Sequence, residues 1–484
     1  RFIYFCLLAS NLLFASSPLS ARPQSAPEQL QSGLTRDLTL SGESKLLFSI
    51  PLIEGQFVYI KADQRGKDIA LSLSGPNGEV LIEIDSPNGN EGPEKLYWVA
   101  AKSGTYRVSL SSDSSETGRI SLSIPVLRQA TSVDRARYSS LQYLVNADAT
   151  IEARKASAYG EALANLKLAI QGFTSSEDMD LLGRANYQAG IINSRLGNRA
   201  EAIQFFEASV RTRNRIGDRY GEGSATHNIG VIHLESGDAK LALEALKRAL
   251  ALRREVSDKI GEASTLNSMG EAYRRIGSRY QALESLQTSL KLQRELKNRT
   301  GEATVLNGLG VLYEEMGESS KAIEAYALAL PLRKEPALRA LTQINLANAY
   351  NRLGLPDEAL IQLQQALDAA VKQDDKLLQA RCWNFIGLAN FAQNQYDQAL
   401  DDFNKALKLY QSLSRPEGEL AAISNLGKVY LAKHQLSAAL ESFQNAYRLA
   451  ARYGSAADRV HVKRNEAAAR FQAGQLKPAQ KSYR

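Results

Sequence analysis

The stretch GEAYRRIGSRYQALESLQTS, residues 270–289, holds a small residue at Gly270, an aromatic at Tyr273 and a turn-forming glycine at Gly277. Ala282, Leu286 and Ser289 then follow at helical spacing. The turn position recurs at Gly197, Gly237, Gly277, Gly317, Gly354, Asn394, His434 and Gly474, every 40 residues except for one interval of 37. Five residues after each stands an alanine: Ala202, Ala242, Ala282, Ala322, Ala359, Ala399, Ala439 and Ala479. Seven before each is another small residue, running from Gly190, Gly230, Gly270 and Gly310 through Ala347, Gly387 and Gly427 to Ala467. Registers kept in phase over eight units are the mark of a repeat protein.

Two antiparallel helices explain the pattern. Small residues are needed where one backbone crosses another closely, and large ones fill the gaps between crossings. Phe206, Leu246, Leu286, Tyr326, Leu363, Phe403 and Phe443 occupy one large slot. Tyr273, Tyr313, Tyr350 and Tyr430 occupy another, on the first helix of the pair. Each pair leaves an apolar face that only the next pair covers, so the pairs must stack into a superhelix with a concave groove. An earlier, degenerate unit fits Ala162, Leu166 and Ala169, preceded by a helix over residues 138–158.

These slots resemble the tetratricopeptide pattern, and Trp383 falls at that family's aromatic position early in the first helix. The units exceed the usual length of about 34 residues and carry junctions such as Ile260-Gly261-Glu262-Ala263 and Thr300-Gly301-Glu302-Ala303, which makes them similar to the kinesin-light-chain-like subclass. The resemblance implies a mainly α fold, a right-handed α-solenoid of helix pairs over residues 138–484, and names no ligand. The chain stops at Arg484 inside a second helix, and the last repeat is read as truncated.

Before the repeats the composition shifts to Ser, Gly, Thr, Ile and Val. Period-two alternation in Phe48-Ser49-Ile50, Ile69-Ala70-Leu71-Ser72-Leu73, Tyr106-Arg107-Val108-Ser109-Leu110 and Ile120-Ser121-Leu122-Ser123-Ile124 indicates antiparallel strands, with turns at Glu54-Gly55, Gly75-Pro76-Asn77-Gly78 and Ser103-Gly104. A small antiparallel β-sandwich over residues 34–126 follows, with residues 22–33 and 127–137 as linkers. Its motifs Leu40-Ser41-Gly42-Glu43, Gly55-Gln56-Phe57-Val58-Tyr59-Ile60 and Gly104-Thr105-Tyr106-Arg107-Val108 resemble the bacterial pre-peptidase C-terminal type of domain.

Arg1 followed by the apolar run through Phe14, then Ala15-Ser16-Ser17-Pro18 and Ser20-Ala21, has the form of a secretory signal over residues 1–21; an uncleaved N-terminal anchor is the alternative. Export to the periplasm or outside is expected, with no other membrane association. Of the two cysteines only Cys382 lies beyond the signal, so no internal disulfide is expected and stability must come from packing. The net charge of +7 arises from 59 basic and 52 acidic residues interspersed without a Lys/Arg block, which argues against nucleic acid as a partner.

Catalytic constellations are scarce. His233 sits in the tyrosine slot, His434 replaces a turn glycine, His227 shares a helix with His233, and His461 lies two repeats from Cys382. No phosphate-cradling loop is present, and Asp68, Asp85 and Glu94 read better as solvated strand-end acids than as a cation site. No cofactor, metal or catalysis is expected in this span. One polar feature rises above that background: Asn228, Asn267, Asn307, Asn345, Asn384 and Asn425 recur two or three residues before the small slot on successive first helices. Two readings stay open. The amides grip the backbone of an extended peptide, or they bridge neighbouring repeats. Arg184, Arg275, Glu315 and Arg352 are candidate groove-lining charges, with solvated helix faces as the alternative. The functional expectation is a scaffold binding a protein or extended peptide. The order of signal, sandwich and long repeats also resembles the N-terminal part of exported bacterial proteins that end in a caspase-like CHAT domain. That resemblance implies a catalytic partner domain in cis beyond Arg484, and no residue here matches its motifs.

Overall fold

A computed structural model describes residues 27–85, 91–113, 117–153 and 156–475. The signal expected at residues 1–21 and the alanine slot at Ala479 lie outside them. The chain forms two compact units, one through Ile192 and the other from Asn193 on.

The first unit begins with nine strands: β1 (Glu28–Gln29), β2 (Thr35–Ser41), β3 (Ser44–Leu52), β4 (Gln56–Arg65), β5 (Ala70–Ser74), β6 (Val80–Ile84), β7 (Glu91–Val99), β8 (Gly104–Ser112) and β9 (Thr117–Gln129). They form two sheets, ordered β1-β3-β8-β5-β6 and β2-β9-β4-β7. All pairings are antiparallel except that of the two-residue β1 with β3. The apolar set of the alternation is buried, Phe48, Ile50, Leu71, Leu73, Val108, Leu110, Ile120, Leu122 and Ile124, but in β5 and β8 the intervening Ser72 and Ser109 are buried too and share a hydrogen bond at 3.0 Å.

Neither expected linker is one. Within residues 22–33, β1 pairs with β3 and Leu30 is buried. Within residues 127–137, β9 runs to Gln129 and α1 (Ser132–Glu152) starts after only two residues. The cause is a capping box: Thr131 accepts from the Asp134 backbone N–H at 3.2 Å, and Asp134 accepts from the Thr131 N–H at 2.8 Å. Arg128 donates to both oxygens of that carboxylate, and these bonds outweigh burial in holding Asp134 below the usual carboxylate range.

Helices α2 (Tyr159–Ser175) and α3 (Met179–Arg195) follow. Edge strand β7 packs on α1, with Trp98 edge-on to Tyr138 at 5.1 Å between centroids. Tyr97 donates its hydroxyl to Asp178 at 2.5 Å, and Lys95 pairs with Asp180 at 2.9 Å. The break in packing therefore comes at Ile192, not at the expected boundary before residue 138.

The second unit continues through α4 (Arg199–Arg215), α5 (Arg219–Glu235), α6 (Ala239–Glu255), α7 (Lys259–Arg275), α8 (Arg279–Glu295), α9 (Arg299–Glu315) and α10 (Ser319–Ala329). After a 3-10 turn (Leu330–Leu332) come α11 (Pro336–Arg352), α12 (Pro356–Lys372), α13 (Lys376–Ala392), α14 (Tyr396–Ser412), α15 (Pro416–Ala432), α16 (Leu436–Tyr453) and α17 (Ala456–Gln472). Odd-numbered helices from α5 on are the first of their pair.

The small and large slots meet within each pair. A Cβ on Gly230, Gly270, Gly310, Gly387 or Gly427 would come within 3.0 Å of Leu246, Leu286, Tyr326, Phe403 or Phe443 respectively. Every described turn position adopts the left-handed region, including Asn394 at φ 61° and His434 at φ 56°.

A second series of left-handed turns joins each pair to the next: Glu177, Gly217, Ser257, Lys297, Asp374 and Ser414. It fails between α16 and α17, where Gly454 is extended at φ -91°, and between α10 and α11, where Pro331 and Pro336 shorten the connection and account for the 37-residue interval.

The junctions carry their own chemistry. Asp218, Asp258 and Asn298 cap α5, α7 and α9 by accepting from Gly221, Gly261 and Gly301. Those glycines leave room for Arg213, Arg253 and Gln293 of the preceding helix, whose side chains any Cβ would meet. The next residue along is a buried or half-buried glutamate reaching back: Glu222 accepts from Asn214 at 3.0 Å, Glu262 from Arg254 at 2.7 Å and Glu302 from Arg294 at 2.7 Å. Burial works to raise the pKa of Glu222 and Glu262, but the bonds from their partners win and hold both below the ordinary value. A carboxylate depressed on folding adds stability that is present above its unfolded pKa and lost as pH falls through the folded one.

Two outcomes are expected. In urea unfolding, Gly270→Val should cost about 1–3 kcal/mol through overpacking against Leu286, whereas Lys297→Gly should add about 1 kcal/mol by relieving a left-handed lysine. Glu262→Gln should lower thermal stability at about pH 7, and the difference from the parent should shrink progressively as pH falls below about 4, the ordinary carboxylate range, because the folded state then gives up its depressed carboxylate.

Candidate functional site

Each first helix of the second unit touches the first helices of its neighbours, α5 with α7 through to α15 with α17, while successive second helices stand further apart. The first helices therefore line the inner face of the curve. Which side chains look into it follows from the small slot, since that residue faces the partner helix and positions next to it turn toward the groove.

Four of the six ladder asparagines bond to each other across repeats. Asn345 Nδ2 donates to Asn307 Oδ1 at 3.3 Å, linking α9 to α11. Asn425 Nδ2 donates to Asn384 Oδ1 at 3.2 Å, linking α13 to α15, and both residues are buried. Asn228 bonds within its own helix to the Ser224 carbonyl at 3.1 Å, and half-buried Asn267 places its Oδ1 beside Gly308 of α9. For these two pairs the geometry is that of inter-repeat bridges.

The candidate charges divide. Arg184 belongs to the first unit, where it is buried and pairs with Asp148 at 2.7 Å, so it is no groove charge. The other three sit exposed at the C-terminal ends of α7, α9 and α11 and are engaged across repeats. Arg275 pairs with Glu271 at 2.6 Å and donates to the Leu234 carbonyl; Glu315 accepts from Arg274; Arg352 lies 3.9 Å from Glu314. Glu314 is buried, accepts from Tyr326 at 2.8 Å and from Asn348 at 2.6 Å, and burial raises its pKa.

Glu271, Asn348 and Lys428 were not singled out in the sequence. They share one place in the repeat, the residue after the small slot at Gly270, Ala347 and Gly427. That shared offset is the signal the sequence carries for them.

The catalytic residue types are built into packing. Cys382 lies in the core beside Ala340, Ile344 and Ile386, and burial pushes its thiol up to about 12. Burial and the nearby Arg253 push His227 down to about 3, and its Nδ1 lies 3.3 Å from the Thr265 hydroxyl. Among the described residues no group of three metal-ligating side chains gathers, and no helix is long and apolar enough to cross a membrane. Between second helices α4 and α6 lies an open cleft of about 510 Å³ floored by Val210, Ile229 and Ala245.

A family model described as tetratricopeptide repeat matches residues 181–255, 261–335 and 338–412. The 43 kDa receptor-associated protein of the synapse from Tetronarce californica is 23% identical over 117 residues, a match covering 24% of this chain and 28% of that protein. Among solved structures, a signal transduction ATPase with numerous domains and a tetratricopeptide repeat sensor, from Pyrococcus horikoshii, superposes with a TM-score of 0.53 at 15% identity. It is matched over 72% of this chain and 53% of its own length. The apo form of the quorum sensor NprR from B. thuringiensis also reaches 0.53, at 17% identity over 64% of this chain and 87% of that one. Both likenesses concern the fold. The match to tetratricopeptide repeats over these three stretches agrees with the repeat pattern and the helix pairs of this mostly helical chain.

Proposed function

We propose that this protein is a non-catalytic scaffold that binds an extended peptide or protein segment on the concave face of its repeat solenoid. The observation that carries this reading is the run of polar side chains along successive first helices, Asn267, Glu271, Glu315, Asn348 and Lys428, on a face left open by the stacking. A groove of this kind offers side-chain donors and acceptors at a regular spacing to a chain lying along it. The fold-level likeness to proteins named as sensors agrees with a recognition role. Export, and service as the recognition arm of a caspase-like catalytic domain in cis, belong to the same proposal and rest on residues 1–21 and on the order of sequence parts.

The test is selection from a displayed random dodecapeptide library on the immobilised full chain. An enriched peptide should bind at least about tenfold more weakly to the double variant Asn267→Ala, Lys428→Met, with helicity retained by circular dichroism. It should bind unchanged to Lys291→Ala, Lys372→Ala on the second helices. Failure to enrich any peptide, or equal loss in both variants, would overturn the proposal.

A further inference from the structure

Arg213, Arg253, Gln293 and Arg333 hold one place in the repeat, 40 residues apart, where the chain leaves a second helix. At the first two places the residue that caps the next helix answers the guanidinium with a carboxylate: Arg213 pairs with Asp218, and Arg253 lies 3.8 Å from Asp258. At the third both charges are gone, since Gln293 precedes the neutral cap Asn298. Arginine and acid are kept together or dropped together.

At the fourth place the arginine stays and the acid does not. Pro331 and Pro336 shorten the connection, and the N-cap of α11 is Glu335, whose side chain makes no capping bond. Arg333 is buried, only 9% exposed. Its Nη1 donates to Thr304 Oγ1 at 3.2 Å and its Nη2 to the Ala303 carbonyl at 3.2 Å, both on α9, while its Nε finds no acceptor. Among the described residues no carboxylate comes within ion-pair distance of it. Burial works against its charge, and Glu335 opposes that only from further off. A buried ion that has lost its partner is an uncompensated charge, which a counter-ion from solvent relieves.

The surroundings favour such a counter-ion. Lys334 follows directly, Arg339 stands one turn into α11, and Arg299 lies one helical turn before Ala303 on α9. All three are exposed and none is in an ion pair among the described residues. The acids of the neighbouring α8–α9 turn are engaged, Glu302 by Arg294 at 2.7 Å and Glu295 by Lys291 at 4.0 Å, which leaves Glu335 as the acid set against four cations. Exposed Thr304, which receives Arg333 Nη1, brings the edge of the guanidinium to the surface. A planar guanidinium with a lysine beside it suits a doubly charged oxyanion better than a single carboxylate.

We propose that the connection between α10 and α11 is a phosphate-binding site, in which Arg333 and Lys334 hold the oxyanion and Arg299 and Arg339 add to the field that draws it in. The site lies at the turn end of the helix pairs, apart from the concave face, and does not depend on the peptide reading.

The experiment titrates the full chain calorimetrically with inorganic phosphate and with acetate, at about pH 8 and constant ionic strength. Phosphate should bind at least about tenfold more tightly than acetate. That affinity should fall by at least about tenfold in Arg333→Gln, which repeats the residue Gln293 supplies one unit earlier, and in exposed Lys334→Gln. It should be unchanged in Lys240→Gln, an exposed lysine at the opposite turn, all three with parental helicity. Thr304→Glu, which sets a carboxylate beside Arg333, should raise the Tm and weaken phosphate by a similar factor. Co-sedimentation with phosphatidylcholine vesicles, with and without phosphatidic acid, separates the sources of the group. Retention that needs both phosphatidic acid and Arg333 identifies a lipid headgroup, and phosphate binding without such retention identifies a soluble phosphate. Phosphate no tighter than acetate together with no Arg333-dependent retention overturns the site. So does binding that survives both Arg333→Gln and Lys334→Gln, or that falls equally in Lys240→Gln.

Discussion

The close crossing between the two helices of each repeat is the constraint from which the rest follows. Where a first helix presents Gly270 to Leu286, or Gly310 to Tyr326, the two axes approach until a methyl group would not fit. A large side chain on the second helix then fills the space that the missing Cβ leaves, and burying it contributes about 2–3 kcal/mol. With that distance set in pair after pair, the outward apolar faces repeat at a constant angle and each pair is obliged to find the next. Curvature, and hence a concave face lined by first helices, is a consequence of geometry repeated and not of any residue in the groove.

Between pairs a different economy operates. The faces that stack are joined by polar junctions in which a cap, a glycine and a glutamate act together. Asp258 caps α7 through Gly261, Gly261 makes room for Arg253, and Glu262 takes Arg254 from the helix before. Each element depends on the others, because a side chain at residue 261 would displace Arg253. The sequence Asp-x-x-Gly-Glu therefore marks a contact between repeats, not a site for a ligand.

Much of this was legible without coordinates, and the part that was not has physical causes. The small slots and the turns within pairs stand out because few residue types tolerate a close crossing or a positive φ, so the choice at Gly277 or Ala282 is narrow. The turns between pairs were missed because Ser257, Lys297 and Asp374 pay a local strain that stacking offsets, and their residue types carry no common signal; the capping Asp218, Asp258, Asn298 and Asp375 one position on did. Residues 127–137 looked like a linker because a two-residue connection leaves no room for a composition change, and only the Thr131–Asp134 spacing disclosed the helix start. The asparagine run was visible as a pattern, but whether an amide faces a ligand or its neighbour one repeat away depends on the axial rise between helices. Arg333 was passed over because an unpaired charge is a property of its surroundings, here the want of a capping carboxylate where the proline-bearing connection enters α11.

The uniform junction chemistry bears on how such a chain gains and loses length. The bonds that Arg254 makes to Glu262 are those that Arg294 makes to Glu302, so joining residue 257 directly to residue 298 would bring Arg254 to Glu302 and Arg253 to Gly301. Recombination within the gene between α5 and α9 therefore yields a solenoid one unit longer or shorter with every seam intact. Among the between-pair connections α4–α5, α6–α7, α8–α9, α12–α13 and α14–α15, none shares the 3-10 turn and absent left-handed residue of the connection at residues 330–336. A crossover there would splice unlike ends, which makes it a fixed landmark separating an array free to vary in copy number from the repeats that follow.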